Sequence, residues 1–331
     1  MKSYDFGQFL FNSTFLDEQQ LSELIIAAKN KKSTLATKAL FMRMVSLPEL
    51  ETSLKNLPEA ENIDEYFHSH AQEVQDKYDS MLKNILPPNH FARLNRLKES
   101  SSLWLVQELI DSGKVSLEQL EKLLDEYHKL ETPPIEVAYS ARYETLPSEQ
   151  KLEYSIAVDV VKSFHEFTSE SVGSTIILLP DVDIADGKLL GATVKIKGET
   201  PIIVGFFAAE DVFIKFAQSY NNLVEDKADA LDAVSEFLNI YVGHFTIRMV
   251  ATLGTEEEPE TPRYGDAENF SAIKMFSDWG EFYLYVGAEE FFQEELNKQA
   301  EGLDDMMDLS QFGLEDLGDD FDEKFKDPFD F

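Results

Sequence analysis

Asp232, Glu236 and Asn239 carry the chemistry that this sequence suggests. Gly243 and Thr246 continue the series, so the five positions fall four, three, four and three apart and share one face of a helix. Asn competes for backbone hydrogen bonds and is a poor helix former unless its amide has a use. Its carboxamide both donates and accepts. That is what holding a water in line with a phosphorus atom requires, a task in which catalysis is mostly positioning. Gly243, one turn beyond Asn239, removes bulk and lets another protein's backbone come close.

The surrounding residues predict a largely buried helix. Leu231, Val234, Leu238, Val242, Phe245 and Met249 recur at helical spacing, and Phe237, Ile240, Tyr241 and Ile247 make most of the remaining circumference apolar. At ordinary residue frequencies a chain of this length contains about one Glu-x-x-Asn by chance; this one contains three. Glu59/Asn62 and Glu294/Asn297 lack Asp or Ser four residues before the Glu and Pro twenty-three after the Asn, whereas Glu236/Asn239 has Asp232 and Pro262 there. Requiring all four positions lowers the chance expectation to roughly one in a hundred.

Asp232-x3-Glu236-x2-Asn239-x22-Pro262 resembles the active-site motif of the CheC/CheX/FliY family of chemotaxis phosphatases, and Asn239-x3-Gly243 resembles that family's motif helix. The resemblance runs from about Leu152 to Gln299. It implies hydrolysis of the aspartyl phosphate on a CheY-type response regulator. Asn239 would orient the attacking water, Glu236 would contact the regulator's active-site Lys, and Asp232, Gly243 and Pro262 would shape the site. It further implies no cofactor of the chain's own, Mg²⁺ in the regulator, and a homodimer through the CheX-like domain. CheC members carry the motif twice, first on the domain's opening helix. Here that helix reads VDVVKSFHEFTSESVG, and Ser169 stands where Asn is expected after Glu166, so the chain is CheX-like with a single site.

Composition narrows the function classes. The 331 residues carry 63 Asp+Glu against 29 Lys+Arg, a net charge of −34 that repels nucleic acid and anionic membranes and favours a basic partner surface. With no Cys, disulfides, thiolate metal sites and Cys catalysis are excluded. The first twenty residues have neither a basic lead nor an unbroken apolar run, and no stretch approaches the length of a membrane span, which predicts a cytoplasmic protein. Nucleophile elbows, phosphate-cradling glycine loops and His/Asp/Glu ligand clusters are not found in the sequence.

The order of elements predicts an α+β fold in which a CheX-like β-sheet packs against long helices, preceded by a small all-helical domain. Residues 1–134 read as a helical, repeat-like docking domain, with capping boxes at Asp17/Gln20, Ser46/Glu49 and Ser116/Gln119 and an apolar residue before each cap. His68 and His70, two residues apart, read as surface side chains. The stretch 135–147, which follows Pro133-Pro134 and ends at Pro147, reads as a linker. Residues 148–300 form the CheX-like domain. It opens with an amphipathic helix, continues with strands near 174–179, 189–197 and 201–207, then a helix from about 209 to 220, the motif helix, a hairpin around Asp278-Trp279-Gly280, and a closing helix over 288–299. The tail 301–331, with twelve acidic and two basic residues among Leu, Met and Phe, reads as disordered on its own and able to fold on a partner. Two functions fit this organisation. The first is a response-regulator phosphatase, and the second a non-catalytic docking protein of a chemotaxis or flagellar-switch complex.

Overall fold

Helix starts in the first third are set by the capping side chains. The computed structural model describes residues 5–55, 63–146, 151–179, 184–185, 188–198, 201–253, 257–267 and 270–287. Up to residue 128 the described elements are all helices: α1 (Phe6–Asn12), α2 (Glu18–Ala28), α3 (Leu35–Phe41), α4 (Leu47–Leu54), α5 (Ile63–His68), α6 (Gln72–Ile85), α7 (Pro88–Arg96), α8 (Ser101–Asp111) and α9 (Leu117–His128). Asp17 accepts from the Gln20 N–H at 2.8 Å while the Gln20 side chain accepts from the Asp17 N–H at 3.1 Å. Ser116 and Gln119 repeat the exchange at 3.3 and 2.9 Å. Before α4 the Glu49 carboxylate accepts from both the N–H and the hydroxyl of Ser46 at 2.8 Å, bonds that hold its carboxyl below the ordinary value. His68 and His70 are exposed, as expected, yet His68 at the end of α5 and His70 just after it both reach the end of α8. The His68 Nε2 lies 3.1 Å from the Ile110 carbonyl, and His70 lies 3.5 Å from Asp111.

Where a linker was expected, the chain forms α10 (Pro134–Tyr143). Pro133 is the N-cap and Pro134 the first residue of this helix, where a missing N–H costs nothing, so the pair starts an element instead of breaking one. Ile135 and Tyr139, one turn apart, are buried in the core of the sheet region. Arg142 is fully buried, donating to the Ala272 carbonyl at 3.1 Å and to the Thr145 hydroxyl at 2.9 Å.

Then follow α11 (Tyr154–Val172), β1 (Ile177–Leu178), β2 (Ile184–Ala185), β3 (Leu189–Lys197), β4 (Ile202–Ala208), α12 (Glu210–Tyr220), α13 (Lys227–Leu253), β5 (Glu258–Pro259), β6 (Arg263–Ala267), β7 (Phe270–Ser271), β8 (Ile273–Ser277) and β9 (Gly280–Gly287). The fold is α+β. The main sheet is antiparallel in the order β1-β8-β9-β4-β3-β5, with β6 also on β3. One face of it carries α12 and α13. There Val204, Phe206 and Ala208 of β4 meet Phe213, Phe216 and Phe237, with Phe206 stacked on Phe216 at 4.4 Å. On the opposite face Phe207 packs on Phe270 at 4.5 Å, and a Cβ at Gly191 would come within 2.0 Å of its ring, so glycine is required for Phe207 to lie across β3.

The described residues belong to one compact unit with two apolar clusters, and the cluster of the first helices borrows from the sheet region. Ile177, Leu179 and Phe276 belong to the cluster built by the first helices. The buried Gln8 of α1 reaches Leu178, donating to its carbonyl at 3.2 Å and accepting from its N–H at 2.8 Å. A side-chain amide thereby completes the ladder of a two-residue edge strand. The expected closing helix over 288–299 and the tail 301–331 lie outside the described residues. Among those residues no helix is long and apolar enough to cross a membrane.

Candidate functional site

The candidate site is built on α13, whose 27 residues extend about 40 Å. Asp226 starts it, accepting from the N–H groups of Ala228 and Asp229 at 2.9 and 3.0 Å, while Asp229 accepts from the Glu225 N–H at 3.0 Å. Ala230, Val234, Phe237, Leu238, Tyr241, Val242, Phe245 and Met249 bury one side of it. Phe237 sits among the rings of Phe164, Phe167, Phe216 and Tyr220 at centroid distances of 6.2, 5.2, 5.0 and 5.4 Å. The Tyr241 hydroxyl donates to the Val160 carbonyl at 2.8 Å and lies 3.0 Å from Ser163, pinning α13 to α11; burial pushes this phenol far above its ordinary range.

On the opposite side Asp232, Glu236 and Asn239 are exposed, with Gly243 half-buried next in line. The structure therefore brings four of the five sequence-derived site residues onto one accessible face. Glu236 and Asn239 have fully buried neighbours in Phe237 and Leu238, so the backbone that presents them is held rigidly. Pro262 belongs to another element, half-buried in the crossing from β5 to β6, both of which pair with β3. Thr246 departs from the expected row. It is buried, and its hydroxyl has no hydrogen-bond partner among the described residues. Ile240 and Ile247 depart in the other direction, remaining 37% and 71% exposed where a buried position was expected.

Gly243 is not demanded by packing within the chain. A Cβ there would meet no heavy atom within 4 Å among the described residues. Glycine in a helix interior costs about 0.5–1 kcal/mol relative to Ala. Gly243→Ala is expected to stabilise the protein by about that amount in urea titration while weakening any partner that uses the gap. A destabilised variant would mean that the chain's own fold needs the glycine.

Tyr220 lies near Glu236, a proximity that sequence reasoning missed. It ends α12, half-buried, and its phenol is raised by burial and by the nearby Glu236 carboxylate. No local signal marks it, because packing of α12 on α13 produces the proximity. The surroundings are acidic. Glu225 and Asp226 just before α13 and Asp229, Asp232 and Glu236 in its first half crowd together, and Lys227 there pairs with Glu210 at 3.2 Å. Among the described residues no cluster of His, Asp or Glu is arranged to hold a metal ion.

Ser169, at the position matching Asn239 on the opening helix α11, is buried, and its hydroxyl has no hydrogen-bond partner among the described residues. A buried hydroxyl without a partner costs more than the methyl that would replace it. Ser169→Ala is accordingly expected to leave stability in urea titration equal or higher; a destabilised variant would mean that the hydroxyl supports the fold.

Neither family models nor curated protein sequences match this chain. Solved structures do. A CheX from Desulfovibrio desulfuricans is 20% identical, covering 41% of this chain and 99% of its own length at a TM-score of 0.35. FliY of Thermotoga maritima is 15% identical over 48% of this chain and 98% of its own, with a TM-score of 0.33. A complex of CheX with CheY, BeF3 and Mg²⁺ from Borrelia burgdorferi matches at 12% identity over 41% of this chain and 98% of the other, with a TM-score of 0.34. What this chain is similar to among solved structures, over less than half its length, is thus a set of CheX, CheC-like and FliY chemotaxis proteins.

Proposed function

We propose that the chain is a phosphatase for the aspartyl phosphate of a CheY-type response regulator, with Asn239 holding the attacking water and Glu236 contacting a lysine of the regulator. The observation that supports this reading is the exposed Glu236/Asn239 pair on the accessible face of a helix whose other face is locked into the core. Three residues apart on a helix, the two side chains start about 5–6 Å from each other and can enter one partner cleft together. The Asn239 carboxamide accepts a hydrogen from water through its oxygen and donates to a phosphoryl oxygen through its nitrogen, which orients the water lone pair toward phosphorus.

As the water oxygen bonds to phosphorus, the bond to the regulator's carboxylate oxygen breaks. Carboxylate and inorganic phosphate leave, and the water's proton passes to phosphate and solvent. The chain contributes no nucleophile and no metal to this scheme. The Mg²⁺ belongs to the regulator, as it accompanies CheY in the Borrelia burgdorferi complex. The exposed acidic first half of α13 suits a partner surface that presents cations.

The deciding experiment is phosphate release from each phosphorylated response regulator of the source organism. Acceleration of at least one, lost in Asn239→Ala, supports the phosphatase. Binding without acceleration supports the docking reading instead, and neither binding nor acceleration would dismiss both.

A further inference from the structure

The second half of α13 holds an exposed surface that catalysis does not explain. Ile247, Val250 and Ile240 are 71%, 40% and 37% exposed, and they flank or follow Gly243, around which there is open space. At about 100° per residue, Asp232, Glu236, Asn239, Gly243, Ile247 and Val250 fall within a sector of roughly 80°, with Ile240 at its border. One stripe of the helix is therefore acidic and amide-bearing over its first turns and apolar over its last, with a notch at Gly243 between the halves. Exposed isoleucines scattered singly carry no message, but Ile240 and Ile247 lie two turns apart, with Val250 one turn beyond, on the face that bears Asn239.

We propose that Ile240, Gly243, Ile247 and Val250 form the apolar half of the docking surface for the response regulator, so that one continuous stripe of α13 both binds and positions it; this rests on the proposed function. The partner is a protein face with a cation opposite Glu236 and an apolar ridge seated against Gly243. Charge argues for a basic partner over a second copy of this chain. Parallel pairing of two such helices would set Glu236 and Asp232 against their own copies. Antiparallel pairing would cover them with Ile247 and Val250, burying carboxylates without counter-charges. A regulator with basic groups beside an apolar patch satisfies both halves at once.

The test uses the full chain and a CheY-type response regulator activated with beryllium fluoride and Mg²⁺, titrated calorimetrically, with turnover followed on the phosphorylated regulator. Ile247→Gln/Val250→Gln keeps two exposed positions in good helix formers, and its folding is checked by thermal unfolding. We expect its Kd and KM to rise about tenfold or more, with the loss falling on KM and not on kcat, and with the salt dependence of binding the same as in wild type. Wild-type affinity in the double variant, with turnover still lost in Asn239→Ala, would overturn the docking surface and leave the phosphatase intact. Failure of the wild-type chain to bind or dephosphorylate any regulator of the source organism would overturn the phosphatase and the occupant assigned here. A wild-type dimer in sedimentation velocity that the double variant dissociates would assign the apolar stripe to a second copy, overturning the proposal.

Discussion

Asn239→Ala should slow phosphate release from the regulator by on the order of a hundredfold or more, while binding of the beryllofluoride-activated regulator stays close to wild type. The size follows from the role. A water that must be found in line with phosphorus by chance, instead of being held there, loses most of the advantage of an oriented complex. The accompanying stability change has the opposite sign. Asn239 is exposed in the interior of α13, and Ala is the better helix former by roughly half a kcal/mol, so the variant should unfold at slightly higher urea. Asn239→Gln sharpens the test, because it keeps the amide but moves it outward by about one methylene, and a displacement of about 1 Å can cost a hundredfold. A Gln variant near wild-type rate would mean that polarity, not position, is what the site needs. A parallel fall in activity and stability in Asn239→Ala would make the residue structural.

How much of this was legible before the structure depends on whether the signal is local. The capping boxes at Asp17, Ser46 and Ser116 are closed within three residues, and their sequence pattern and geometry coincide. The buried side of α13 was legible for a similar reason, since a helical period of apolar residues needs only the helix to be read. Ile240 and Ile247 show where that logic stops. Residue type suggested burial, but exposure depends on what the rest of the chain brings up to that face, and nothing described covers it. Thr246 errs in reverse, a polar residue drawn inward at the edge of the stripe. The Pro133-Pro134 pair was read as a break because a proline ends one helix as readily as it begins the next. Tyr220 beside Glu236 and Gln8 on Leu178 are products of tertiary packing, the latter across 170 residues, with no sequence signature.

Glu236→Lys should weaken regulator binding by about thirtyfold at low salt. A carboxylate and an ammonium about 4 Å apart in a water-like dielectric attract by about 1 kcal/mol, and reversing one of them replaces that attraction by a similar repulsion, a swing of about 2 kcal/mol. Glu236→Gln removes the attraction without adding repulsion and should cost about fivefold. Both losses should shrink as salt is raised, because the screening length falls from about 10 Å at 0.1 M to about 3 Å at 1 M. That behaviour separates Glu236 from the apolar stripe at Ile247 and Val250, whose contribution is not screened. Inside the chain the substitution is favourable. Asp232 and Glu236 are like charges one turn apart, a repulsive arrangement worth a few tenths of a kcal/mol, which a lysine at 236 would turn into an attractive pair. Stability should therefore rise as affinity falls, so a misfolded variant cannot imitate the expected result. At saturating regulator part of the turnover should survive, since Asn239 still holds the water. A Lys variant that binds the activated regulator as tightly as wild type at low salt would remove Glu236 from the contact. A loss equally deep at 0.1 and 1 M salt would mean that the new side chain blocks the docking face by its bulk, and the charge argument would fall.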